Sequence, residues 1–204
     1  MGDPLSILPT LLAFAVIAAS PGPANLAAAS VAMSAGRARG LRFAFGLGLG
    51  LFFWGVLAAM GLGAVLRSTS WALTGLKIAG AAYLFWLALQ SLRAARCAGA
   101  TIAARAAPRR LFLAGLMLNL SNPKAVFAWM ATLSLGLGGG GQDYVPLMLL
   151  CGVIGLVNYI GWVTFFSTGV MMRAYLRARR WIEAGVGFLL GAAGVSLLRS
   201  SASQ

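Results

Sequence analysis

The chain has 204 residues, 60% hydrophobic and only 9% charged, with a mean hydropathy of +0.88; a soluble globular domain carries about 25% charged residues, so the composition excludes one and implies an integral membrane protein. Sixteen Lys and Arg stand against three Asp and Glu, with no His. The basic residues sit in short clusters between apolar runs, which argues against nucleic acid as a partner and makes the charge a report of orientation in a lipid bilayer.

A hydrocarbon core of about 30 Å needs roughly 20 apolar residues per helix. On that ruler six spans fit, at about 5–35, 42–66, 71–92, 111–135, 145–171 and 181–199. The stretch leading into the first has Asp3 as its sole charge and so lacks a positively charged n-region, and the small trio Ala18, Ala19, Ser20 is followed by proline, so a retained span is expected rather than a cleaved signal peptide. It is interrupted by "SPGPAN", Ser20 to Asn25, and followed by Arg37, Arg39 and Arg42. Span two carries Gly46, Gly48, Gly50 and Gly55 and is followed by Arg67 alone. Lys77 lies near enough to one end of span three to snorkel outward. Next comes "RAARCAGATIAARAAPRR", with Arg93, Arg96, Arg105, Arg109 and Arg110. Span four holds "NLSNPKAVF", Asn119 to Phe127, and leads into "GLGGGGQD", a flexible hinge without positive charge. Asn158 and Tyr159 lie at mid-depth in span five, as helix-to-helix hydrogen bonds or as cavity lining. Arg173, Arg177, Arg179 and Arg180 follow that span, and Arg199 closes span six.

Every second connection is therefore rich in arginine. The positive-inside rule places those connections in the cytoplasm and both termini outside. The long arginine-studded linker divides the chain into a first three-helix half at 1–92, a basic cytoplasmic linker at 93–110 and a second three-helix half at 111–204. A three-span unit followed by its copy sits upside down relative to the first, which is the inverted-repeat plan of many secondary transporters. The expected fold is thus an all-α integral membrane protein of six transmembrane helices in two inverted halves, with a broken first helix in each.

The breaks carry the functional reading. Proline removes a backbone donor and clashes with the carbonyl one turn back, so Pro21, Gly22 and Pro23 together end a helix. Irregular backbone at membrane depth is tolerated only where protein buries it or where it lines a watery cavity. The helix restarting near Ala24 or Asn25 presents free N–H groups and a partial positive charge, suited to an anionic substrate group. Lys124 lies about 14 residues, roughly 20 Å, along the helix from Arg110. A cation so deep is a functional candidate; its alternative role is to bond the carbonyls freed by Pro123 or by the opposite break. Glu183 reads as a charge at the start of span six, and Asp3 and Asp143 fall in outer segments, so no carboxylate is expected at depth. Without His or a buried carboxylate there is no base for Ser34, Ser121 or Ser134, which argues against an enzyme. Cys97 and Cys151 have neither redox nor metal-ligand spacing, and no metal or cofactor is implied. The glycine spacings in spans two and six, the latter Gly187 and Gly191, allow close helix packing or a homodimer.

Taken in order, "SPGPAN", "SAGRARGLRFAFGLGLG", "KIAGAAYLFWLAL" with Gly80 and Tyr83, and "FLAGLMLNLSNPKAVFAW" resemble the lysine-exporter (LysE/RhtB) family of inner-membrane amino-acid exporters. The resemblance implies six spans in two related halves, a place in the cytoplasmic membrane, and efflux of small amino acids or related metabolites driven by an ion gradient. Carried over by position, Pro21, Gly22, Pro23 and Asn25 match the first motif and Asn122, Pro123 and Lys124 the second; Tyr83 and Asn158 complete the candidate substrate site. Many members follow the glycines of span two with an acidic residue, where this chain has Leu51. With no counter-charge for a cationic side chain, neutral amino acids are the expected substrates. The alternatives are export of another solute or ion, and a thiol-disulfide carrier; the missing acidic, His and paired Cys ligands argue against a metal ion, and a carrier needs a proximate cysteine pair.

Overall fold

A computed structural model describes residues 7–68, 70–96, 108–136 and 144–202. Cys97, Asp3, Asp143, the middle of the basic linker and most of the glycine hinge lie outside the described residues. Within them the chain forms eight α-helices and no strand: α1 (Leu8–Ala19), α2 (Pro23–Ala35), α3 (Arg37–Ser68), α4 (Ser70–Arg96), α5 (Leu111–Leu120), α6 (Pro123–Gly136), α7 (Tyr144–Phe166) and α8 (Gly169–Ala202).

Both expected breaks are present, and both helices restart on a proline. Pro23 opens α2 after an extended Gly22 (φ −162°, ψ 174°), and Pro123 opens α6; the missing N–H costs nothing in a first turn. The α1–α2 pair bends by 53° and the α5–α6 pair by 58°. With 12 and 13 residues, α1 and α2 are each about 20 Å long and too short to cross alone. By length and composition, two helical segments among the described residues can cross a membrane, Arg37–Met60 and Val145–Phe166, or four if each bent pair is one span. Gly36, with φ 86°, separates α2 from α3 by taking the left-handed conformation that favours glycine.

The basic clusters differ from their expected places. Arg37, Arg39 and Arg42 lie within α3, Arg93 and Arg96 in the last turn of α4, and Arg173, Arg177, Arg179 and Arg180 within α8. The cluster before the sixth predicted span is therefore helix rather than connection. No proline and no glycine interrupts the chain between Gly169 and Gly185, and Ala, Arg, Leu and Met are good helix formers. Glu183, expected as a helix-end charge, is consequently well inside α8, and it is buried at 3% exposure.

The span-two glycines act within the chain. A Cβ on Gly46 would overlap the carbonyl oxygen of Phe112, and one on Gly115 the carbonyl oxygen of Phe43, so α3 and α5 touch backbone to backbone at this crossing. Gly48 admits Leu156 of α7, Gly55 admits the Trp129 ring, and Gly187 admits Leu92 of α4. One core cluster gathers Phe14, Phe43, Leu47, Leu51, Trp129 and Val163; a second gathers Ile17, Tyr83, Leu84, Leu87 and Leu190. Outward faces remain apolar, with Phe45, Leu49 and Phe53 of α3, Val153 and Val157 of α7, and Phe188 of α8 all exposed. In a bilayer such surfaces meet acyl chains.

Candidate functional site

Each break frees backbone carbonyls that must find donors elsewhere. At the first break, Asn25 Nδ2 donates to Ala18 O at 2.7 Å and to Ser20 O at 3.0 Å. Asn158 Nδ2, reaching in from α7, donates to Ala18 O at 3.1 Å and to Asn25 Oδ1 at 3.0 Å. At the second break, Trp54 Nε1 lies 3.3 Å from Asn119 O and 3.2 Å from Leu120 O. Asn122 Oδ1 accepts the Lys124 backbone N–H at 3.1 Å and so caps α6. Asn119 is fully buried and ties this break to its neighbours, donating from Nδ2 to Leu47 O and to the Tyr159 hydroxyl while its Oδ1 accepts from Asn122.

Lys124 joins the two breaks. Its Nζ donates to Ser20 O at 2.7 Å and also to Ser20 Oγ, whose own hydroxyl donates to Ile17 O at 2.7 Å. An ammonium has three N–H donors, so one remains beyond the two given to Ser20. Gly22 makes the approach possible, since a Cβ there would sit 3.0 Å from Nζ and 3.1 Å from Cδ.

Two cavities meet at this junction. The smaller, about 30 Å³ and so water-sized, lies between Phe14, Asn25, Leu51, Asn122, Lys124 and Tyr159. The larger, about 470 Å³, falls in the usual range for small-molecule sites. Its floor is Ser20, Pro21, Gly22, Pro23, Asn122, Pro123 and Lys124, and its walls carry Gln90, Ser91 and Arg93 of α4 with Arg179 and Glu183 of α8.

Of the residues predicted for the site, Pro21, Gly22, Pro23, Asn122, Pro123 and Lys124 converge on the larger cavity, and Asn25 lines the smaller one. Asn158 serves as a helix-to-helix hydrogen bond to the first break. Tyr83 stands apart in the second core cluster, its ring stacked on Phe127 at 4.4 Å and its buried hydroxyl without a hydrogen-bond partner. Ser20, Trp54, Asn119, Arg179 and Glu183 were not among the predicted residues. Ser20 and Asn119 border the two motifs and were legible by position, whereas Glu183 was masked by the arginines around it. Leu51, where an acidic residue was looked for, is buried beside the smaller cavity, and its carbonyl accepts the Trp129 indole N–H at 2.8 Å. Cys151 is buried and free, and the described residues contain no cluster of metal-ligating side chains.

Comparison with known proteins shows the family. The family described as LysE type translocator matches residues 15–201. The threonine efflux protein of Salmonella typhi is 30% identical over 192 residues, covering 89% of this chain and 91% of that protein; that of Escherichia coli (strain K12) is 31% identical over the same shares. The homoserine/homoserine lactone efflux protein of Salmonella typhimurium is 34% identical over 117 residues, 57% of each chain. No solved structure matches significantly.

Proposed function

Because this chain belongs to the LysE type translocators, we propose that it is a secondary transporter exporting neutral amino acids, threonine foremost, across the cytoplasmic membrane. The observation that carries the reading is Lys124, an ammonium set against the first break on the floor of a cavity of about 470 Å³. Its spare N–H and the start of α2 together suit a substrate carboxylate. The charge of the walls supports a neutral side chain. Three cations, Lys124, Arg93 and Arg179, face the cavity against the one carboxylate of Glu183, so a second positive charge on the substrate would be repelled. Glu183, expected as a helix-end charge, is buried within α8 and lines this cavity, so the balance of charge around the cavity carries the argument for a neutral side chain. The substrates named for the relatives, threonine and homoserine, are also uncharged in the side chain.

In this reading α4 and α8, of 27 and 34 residues, supply the third and sixth spans. The halves 1–92 and 111–204 are inverted copies joined by the cytoplasmic linker 93–110. Helix pairing supports the inverted plan, since α3 packs on α7 and α4 on α8, each the counterpart of the other in its half, and α1 packs on α6, bringing the two broken first spans together. An enzyme has no support here, and a thiol carrier would need an accessible cysteine pair, whereas Cys151 is fully buried. A homodimer would have to use surfaces other than Gly46, Gly48, Gly55 and Gly187, which are occupied within the chain.

Two outcomes test this. Cells loaded with dipeptides and overproducing the protein should release threonine or another neutral amino acid several-fold faster than controls and tolerate its analogues better; protection against lysine or arginine analogues alone would refute the neutral preference. For topology, single cysteines at Gly139 and Ala104 in a Cys-free background should label from opposite sides, Gly139 from outside and Ala104 from the cytoplasm. Labelling of both from outside would overturn the orientation.

A further inference from the structure

Glu183 is the only carboxylate among the described residues, and it lies buried on the wall of the larger cavity. Burying a carboxylate within a helical membrane protein is costly unless it is paired and hydrogen-bonded. Its nearest cation is Arg179, one turn earlier on α8, with Nε 3.8 Å from Oε1. That separation is an ion pair without a good hydrogen bond. Ser91 of α4 lines the same cavity. A carboxylate has about four acceptor sites, so most of the capacity of Glu183 is uncommitted to these two neighbours. Lys124 lines the same cavity.

We propose that Glu183 holds the α-ammonium group of the substrate while Lys124 holds its carboxylate, so that the cavity recognises the zwitterion as a unit. The proposal rests on the Lys124 reading above. It assigns the one buried carboxylate to the backbone end of the substrate, which leaves no acid at the cavity for a cationic side chain. It also makes the ammonium a condition of transport. A compound with the same side chain and carboxylate but a hydroxyl in place of the ammonium meets Glu183 without a charge-assisted bond.

The test compares binding of L-threonine and of its deaminated analogue 2,3-dihydroxybutanoate to purified protein in lipid nanodiscs. Glu183→Gln should weaken threonine binding by about ten- to a hundredfold, the range of one charge-assisted hydrogen bond, and leave the analogue within about twofold of the parent. Lys124→Met should weaken both compounds. Because Glu183→Gln leaves Arg179 without its partner, the double variant Glu183→Gln with Arg179→Gln removes both charges and serves if the single variant fails to insert. The double should still discriminate against threonine. If Glu183 merely neutralises Arg179, the double variant regains parental threonine binding, and the proposal fails. It fails equally if Glu183→Gln binds threonine as the parent does, or loses both compounds alike. If instead Lys124→Met binds both compounds normally while Glu183→Gln loses threonine alone, the carboxylate anchor is what fails, and the zwitterion pairing with it.

Discussion

Lys124→Met is expected to abolish export, by a hundredfold or more per inserted molecule, while leaving the protein folded in the membrane. The energetic basis is a charge-assisted hydrogen bond, about 3 kcal/mol at the upper end, made in a cavity whose low dielectric strengthens it; 3 kcal/mol is roughly a hundredfold in binding. A purely structural Lys124 predicts instead that folded yield falls in step with activity. The hydrogen bonds around Ser20 favour the first outcome. Ser20 O accepts from Asn25 Nδ2 as well as from Lys124 Nζ, so removing the ammonium does not orphan that carbonyl. Ser20 Oγ keeps its own bond to Ile17 O. Lys124→Arg should retain part of the activity, because the charge survives but the larger guanidinium must fit against Gly22, where Nζ already lies 3.0 Å from the position of an added Cβ. Gly22→Ala should reproduce much of the Met phenotype by displacing the lysine, and Pro21→Ala with Pro23→Ala should impair export by healing the break and withdrawing the free N–H groups from the cavity. The deciding measurement is efflux per inserted molecule with substrate binding to purified protein. A Met variant that folds and binds threonine as tightly as the parent would remove Lys124 from the site.

Gly46→Ala should cost the fold rather than the site. A methyl group there overlaps the Phe112 carbonyl oxygen and comes within 2.9 Å of the Leu116 amide nitrogen. Neither is the tip of a flexible side chain, so α3 and α5 must separate along the crossing. Overpacking ordinarily costs about 1–3 kcal/mol, and a backbone clash belongs at or above the top of that range. Gly115→Ala attacks the same crossing from the other side, against Phe43 O. Since both substitutions force one displacement, the double variant should lose less stability than the two losses added together. Gly161→Ala and Gly185→Ala are the controls, for an added Cβ at either meets nothing within 4 Å, and alanine favours the helix. Thermal unfolding in detergent, with the fraction of monodisperse protein recovered, reads the difference. A Gly46→Ala protein as stable as the Gly161→Ala control would show that α3 and α5 do not approach as closely as described.

The sequence by itself determined the helices and their interruptions. Pro21, Gly22 and Pro23 stop a helix through their own covalent chemistry, as does Pro123 after the Asn122 cap, and each restart falls where those residues put it. Counting residues from Arg110 singled out Lys124 as a candidate, although the bend of 58° between α5 and α6 means that the count does not run along one straight helix. The bond from Lys124 to a carbonyl freed by the opposite break was one of the two roles expected of it; what lay beyond the sequence was the other partners whose positions depend on packing. The carbonyls freed by the first break are satisfied by Asn25 of the restarted helix and by Asn158 and Lys124, 140 and 104 residues away, and Trp54 donates at the second from 65 residues away. A break announces that donors are needed and says nothing about which neighbouring helix supplies them. Glu183 shows the same division of information. Its identity and its i,i+4 relation to Arg179 were visible, but in a helix crowded with arginines either face could have been the wet one. Only the packing of α8 along α4 turned Glu183 inward to share a cavity with Lys124, because the side of a helix that is buried is set by the shape of its neighbour and not by its own residues alone.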